Sequence, residues 1–193
     1  MKKCLALLVC VLLCAWSAFA AEAQAEVEDS ESTVRSYSHV IAKLVNDFLI
    51  EDDWRFEFDD KNGIFRFGVN IDSRMKRVSY SVLIRDDAYT SYAISPINAD
   101  PEDKAMMNEI TEFVCRANYG LKNGNFEVDM RDGEIRYKVH VDCEGSIPSR
   151  SIIKNSIYAP AVVFERYSPG LLDVIFKGSS AAEAIKQCEN KGR

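Results

Sequence analysis

The apolar positions of this chain change their spacing along the sequence, and each change predicts a different element. Between residues 33 and 48 they recur every three or four positions, at Val34, Tyr37, Ile41, Leu44, Val45 and Phe48. That spacing places them on one stripe of an amphipathic helix. From Trp54 onward apolar and polar residues alternate, which predicts strands with one buried face and one polar face.

Turn residues divide the alternating region into strands. The segment Asp59–Gly63 ends in Asn-Gly and joins strands around 54–58 and 65–71 as a hairpin. A second hairpin is predicted over 78–84 and 88–95. After the helix described next, strands around 126–130 and 135–141 form a third hairpin through Arg131-Asp132-Gly133.

Three helical segments complete the pattern. We expect the second helix to be capped by Asp100, with Pro101 at its first position, and to end at Gly120. Residues 149–177 are helical in composition, but Pro160 and the Pro169-Gly170 pair are expected to kink or break them. The segment Ser180–Glu183 has the form of a capping box and predicts a short final helix ending near Cys188.

The resulting order, α-β-β-β-β-α-β-β-α(α), predicts an α+β fold. Strands with one polar face are typical of an antiparallel sheet that carries its helices on one side only. The other face should be an open surface of mixed charge. The residues on this face that we expect to contact a partner are Arg55, Glu57, Arg66, Arg136, Lys138 and His140.

The N-terminus predicts export. Lys2 and Lys3 precede an apolar run from Cys4 to Trp16, followed by Ala18-Phe19-Ala20. A basic start, an apolar run and an A-x-A site are the parts of a secretory signal peptide, and the run is too short to span a membrane. We expect cleavage after Ala20, a disordered acidic lead-in over 21–32 and one domain over 33–190. Neither Cys10 nor Cys14 follows a small residue, which disfavours a lipoprotein anchor.

Export changes the interpretation of charge and cysteines. The net charge of −6 becomes more negative when Lys2 and Lys3 are removed, and it disfavours nucleic acid or an anionic membrane as a partner. We expect a location in the periplasm, with secretion as the alternative. Cys115, Cys143 and Cys188 remain after cleavage; the sequence leaves open which of them pair, and their odd number leaves one thiol over.

Residues suited to catalysis or metal binding are few. His39 and His140 are the two histidines, and His140 is expected on a different strand face from Cys143. The Asp59–Gly63 turn lacks the ligand positions of a calcium loop, which hold Phe58 and Val69. No nucleotide-binding, zinc or serine-hydrolase motif occurs. The sequence therefore predicts no enzyme, no metal and no cofactor.

The C-terminal half resembles the YbjN family. The similarity is carried by Asn118-Tyr119-Gly120-Leu121, by Gly124–Asp129, by Asp132–Tyr137 and by Glu165–Ile175 ahead of Glu183-Ala184. The resemblance implies a fold similar to class I type III secretion chaperones, which dimerise and hold an extended segment of a partner. The family is also described as a sensory transduction regulator. A signal peptide is incompatible with a cytoplasmic secretion-chaperone role.

Two functions follow as hypotheses. The first is a non-enzymatic exported module that binds a protein partner or a second copy of itself through the open sheet face. The alternative is a sensor of a small molecule or peptide, with a pocket between the sheet and the kinked C-terminal helix.

Overall fold

Alternation between apolar and polar residues builds the sheet at the centre of this fold. The computed structural model describes residues 36–190, so the predicted signal peptide, lead-in and first residues of the domain lie outside the described residues. Within them the order of helices and strands is the predicted one. The elements are α1 (His39–Glu51), β1 (Phe56–Asp59), β2 (Ile64–Asn70), β3 (Arg77–Ile84), β4 (Ala88–Ile94), α2 (Lys104–Tyr119), β5 (Asn125–Val128), β6 (Ile135–Asp142), α3 (Arg150–Lys177) and α4 (Ala181–Asn190).

All six strands belong to one sheet with the order β1-β2-β3-β4-β6-β5. Every neighbouring pair is antiparallel. The two edge strands, β1 and β5, have only four residues each. The predicted α+β class with an antiparallel sheet is therefore confirmed.

One face of this sheet forms the core. Its strand side chains are buried, and they include Phe65, Phe67, Val82, Ile84, Tyr89, Ala93, Ile135 and Tyr137. Helix α3 lies on this face, because the Tyr80 hydroxyl donates to the Ile157 carbonyl at 2.8 Å and the Tyr89 hydroxyl lies 2.9 Å from Ser156 Oγ. Burial is the main reason that the pKa of Tyr89 rises to about 12. Helix α3 and the polar face therefore lie on opposite sides of the sheet.

The sequence predicts a kink or a break at the two prolines, and the break is wrong. Helix α3 runs without interruption from Arg150 to Lys177 through Pro160 and Pro169. A proline removes one helical hydrogen bond and crowds the carbonyl groups of the preceding turn. Pro160 is buried on the face of α3 that packs against the sheet, where the Tyr80 hydroxyl donates to the Ile157 carbonyl. The Arg74 guanidinium donates to the Pro169 carbonyl at 3.0 Å. Packing against the sheet therefore outweighs the local preference of proline.

The start of α2 differs from the expectation as well. Asp103, not Asp100, is the N-cap, and its carboxylate accepts from the Met106 amide at 3.0 Å. Asp100 instead accepts from the Glu102 amide at 2.9 Å, so it closes a separate turn ahead of the helix. Gly120 is the C-cap, as predicted. The capping box of α4 is confirmed, because the Glu183 amide donates to Ser180 Oγ and the Ser180 amide donates to Glu183 Oε2, both at 3.4 Å.

The loop between β2 and β3 holds α3 in place. The Arg74 guanidinium donates to Asp173 Oδ1 at 2.5 Å, and Lys177 Nζ lies 2.9 Å from the same oxygen. The Ser73 and Ser168 hydroxyls are hydrogen-bonded beside them. The Asp173 side chain is 8% exposed. Desolvation would raise the pKa of Asp173, but Arg74 and Lys177 together lower it below its ordinary value.

Replacement of this carboxylate should weaken the fold in a pH-dependent way. We expect Asp173→Asn to lower the free energy of unfolding by about 2 kcal/mol at neutral pH, because Arg74 and Lys177 lose the negative charge with which they pair. A group whose folded pKa is lowered stabilises the fold above its unfolded pKa and loses that effect as pH falls through the folded value. Urea denaturation at pH 7 and at progressively lower pH should therefore show a difference that vanishes in acid.

Asp47→Asn is the control for this prediction. Asp47 lies in an exposed pair with Lys43 at 2.6 Å, and exposed pairs of this kind contribute about 0.5 kcal/mol or less. Equal losses for the two variants, or a difference that grows in acid, would contradict the role assigned to Asp173.

Candidate binding surface on the open sheet face

The face of the sheet opposite the helices, called here the open face, carries the remaining strand side chains. The strand registers align them in rows that cross the sheet. One row consists of Glu57, Arg66, Ser81, Tyr92 and Lys138. The next consists of Gly68, Ser79, Ile94, Arg136 and Glu127. The surface therefore combines charged, hydroxyl and aromatic groups.

The predicted contact residues lie on this face in two groups. Glu57 and Arg66 are on β1 and β2, and Arg55 immediately precedes β1. Arg136, Lys138 and His140 are on β6. Strands β3 and β4 separate the two groups. The structure thus divides the predicted set into two sites with different electrostatics.

The charges on the β6 side are paired with one another. Glu127 accepts from Arg136 and from Lys138, both at 2.8 Å. The Arg136 guanidinium also lies over the Tyr92 ring, 4.4 Å from its centroid. Desolvation works to raise the pKa of Glu127, but hydrogen bonds from Lys138 and Arg136 lower it overall. His140 Nδ1 lies 3.0 Å from Thr90 Oγ1 on the exposed surface.

The β1–β3 side of the open face contains a shallow groove of about 700 Å³. The lining residues with side chains on this face or at its margin include Arg55, Glu57, Arg66, Gly68, Arg77, Ser79, Ser81 and Ile94. Arg66 Nη1 is 3.6 Å from Asp59 Oδ2. Within residues 36–190, the side chains of Arg55 and Arg77 have neither an ion pair nor a hydrogen bond. We call these lining residues the arginine groove.

Gly68 determines where the guanidinium of Arg77 lies. A Cβ atom at position 68 would be 2.0 Å from Arg77 Nη2 and 2.4 Å from its Cζ. The arginine side chain therefore rests directly on the glycine backbone of the neighbouring strand. Sequence reasoning missed both residues, since the apolar pattern of β3 begins at Val78 and nothing local places Arg77 above Gly68.

The cysteines differ in their surroundings. Cys115 is an exposed free thiol on α2, whereas Cys143 is a buried free thiol. Burial, followed by Asp142 and Asp87, raises the pKa of Cys143. The Cys188 thiol is buried, with its sulfur 3.7 Å from the Tyr167 carbonyl oxygen. Cys115 and Cys143 are thus not joined to each other.

The described residues contain neither a metal-binding cluster nor a membrane-spanning helix. In residues 36–190 no three His, Cys, Asp or Glu side chains come together as a metal site would require. None of the helices in that range is long and apolar enough to cross a membrane.

No protein-family profile and no curated protein matches this chain. The resemblance to the YbjN family therefore remains a prediction.

Proposed function

We propose that this protein is a non-enzymatic, exported binding module that holds a protein partner on its open sheet face. The observation that carries the proposal is the arginine groove, which lies on the polar face and contains three of the six predicted contact residues. Arginine and tyrosine are enriched where proteins contact each other. The open face presents both, at Arg55, Arg66, Arg77 and Tyr92.

Export and the YbjN-like role belong to the same proposal. Export rests on the pattern of the first 20 residues. The one-sided antiparallel sheet is consistent with the layout that the YbjN resemblance implies, and that layout suggests an extended partner segment. A second copy of the chain is the other partner that the resemblance suggests, and light scattering on the purified protein distinguishes the two.

The sensor alternative has no comparable support. Its pocket would lie between α3 near Pro160 and the sheet. Pro160 and Ile157 are buried there, and the Tyr80 and Tyr89 hydroxyls bond to Ile157 and Ser156. We therefore favour the partner-binding hypothesis.

A bulky side chain in the groove tests this proposal. Ser79 is exposed on the open face and lines the groove, so Ser79→Tyr should block access with a residue that is itself favoured in strands. Asn155→Tyr, on the exposed surface of α3, adds the same side chain elsewhere. We expect a partner that co-purifies with the full chain to be retained by Asn155→Tyr and lost with Ser79→Tyr. Equal retention by both variants would contradict the proposal.

A further inference from the structure

The arginine groove carries positive charge on a protein whose overall charge is negative. Three arginines and a single carboxylate, Glu57, supply its charged groups, whereas the whole chain has a net charge of −6. The two ends of the open face differ in this respect, because Arg136 and Lys138 on β6 are paired with two carboxylates, Glu127 and Glu134. The excess of guanidinium groups is therefore local to the groove.

The floor of the groove consists of small residues. Gly68, Ser79 and Ser81 are neighbours across β2 and β3, and they leave the sheet surface open to close approach. Within the described chain the hydroxyls of both serines have no hydrogen-bond partner. The site thus offers free hydroxyl donors beside guanidinium groups, and Ile94 supplies an apolar margin.

We propose that the arginine groove binds an extended acidic segment of a protein partner, with Arg55, Arg66 and Arg77 contacting its carboxylates. The inference rests on the proposed function and specifies the chemistry of the partner. Guanidinium groups form two parallel hydrogen bonds with a carboxylate, and such charge-assisted pairs are among the stronger hydrogen bonds in proteins.

Charge complementarity selects a short acidic segment over a long polyanion. Glu57 lines the groove and Asp59 lies 3.6 Å from Arg66 at its edge, so these carboxylates would repel a phosphate backbone that extends past the arginines. The groove is also open and shallow, whereas sites for small molecules are mostly concave and apolar. A short extended acidic peptide fits the limited extent of the positive charge, because its carboxylates can pair with the arginines. It also fits the open, shallow shape, because its backbone can lie along the floor of the groove.

The test uses a short labelled peptide of alternating Glu and Ser and the same peptide with Gln in place of Glu. Fluorescence anisotropy with the full chain should show binding of the Glu peptide alone, weakened by salt because the charges are exposed. We expect Arg77→Ala to weaken binding about tenfold, as loss of a charge-assisted pair does. Glu57→Gln should strengthen it, because the one carboxylate lining the groove is removed.

Gly68→Ala and Arg131→Ala distinguish an effect of the position of the Arg77 guanidinium from an effect of the net charge of the protein. Gly68→Ala keeps every charge but displaces the Arg77 guanidinium, so it should weaken binding as well. Arg131 is 89% exposed, pairs with Asp129 and does not line the groove. Arg131→Ala removes one positive charge outside the groove and should leave the affinity unchanged. Circular dichroism should show that the variants fold alike.

Several outcomes would overturn this inference. Equal weakening by Arg77→Ala and Arg131→Ala would show attraction by net charge alone. Binding of inorganic phosphate or citrate as tight as that of the peptide would mark a small-anion site. Failure of the Glu peptide to bind, while Ser79→Tyr still abolishes partner retention, would refute the acidic chemistry and leave the proposed function standing. Peptide binding without any effect of Ser79→Tyr on the partner would refute the proposed function.

Discussion

Phe164→Ala is expected to lower the free energy of unfolding by about 4 kcal/mol, as truncation of a buried phenylalanine does. Phe164 is fully buried on α3 and meets the Phe126 ring edge-on, with 5.3 Å between ring centroids. Phe126 in turn packs edge-on against Tyr137 and Tyr167. Removal of the Phe164 ring therefore leaves a cavity where α3 meets the edge strand β5. Urea denaturation measures the loss.

The same helix provides the control for this experiment. Phe176 is 68% exposed, and truncation of an exposed side chain changes stability by about 0.5 kcal/mol or less. We expect Phe176→Ala to unfold almost as the parent protein does. Similar losses for both variants would mean that the buried face of α3 has been assigned incorrectly.

Gly133→Ala is the second substitution with a large expected effect. Gly133 has a φ of +73°, and a Cβ atom there would be 1.9 Å from the Ala99 carbonyl oxygen. This atom belongs to the backbone, and the Ala99 amide already bonds to the Gly133 carbonyl at 3.0 Å. The alanine must therefore displace the turn between β5 and β6 from residue 99. We expect a loss of about 3 kcal/mol, from left-handed backbone strain and steric overlap together.

Gly145→Ala is the control that measures the stability lost through left-handed backbone strain alone. The φ of Gly145 is +70°, but a Cβ atom there would meet no atom within 4 Å. Gly145→Ala should cost about 1 kcal/mol from the left-handed conformation alone. Thermal denaturation of both variants gives the comparison. If they lost the same amount, the close contact between Gly133 and Ala99 would have no energetic consequence.

The sequence predicted most of the fold because the period of its apolar residues is local information. Alternation in β2 and β6 located the open face and placed Arg66, Arg136, Lys138 and His140 on strands. The helix cap at Gly120 and the capping box at Ser180 followed from single residues in the same way. These signals do not depend on the rest of the molecule.

The errors arose where distant contacts decide the conformation. Pro160 lies inside a continuous helix on the face of α3 that is buried against the sheet, where Tyr80 on β3 donates to the carbonyl of Ile157. The start of α2 was predicted at Asp100 because Pro101 follows it, although Asp103 is the cap. The arginine groove could not be predicted from the sequence pattern either. Arg77 reaches Gly68 only through the register of β2 with β3, which the sequence pattern does not specify.

Site-specific photocrosslinking tests the central claim, that the open face is the binding surface, most directly. A photoreactive amino acid replaces Tyr92 on β4 in one sample and Val162, 59% exposed on α3, in the other. We predict that the partner of the full chain is crosslinked from position 92 and not from position 162. Crosslinking from position 162 alone, or equally from both, would contradict the assignment of the open face as the binding surface.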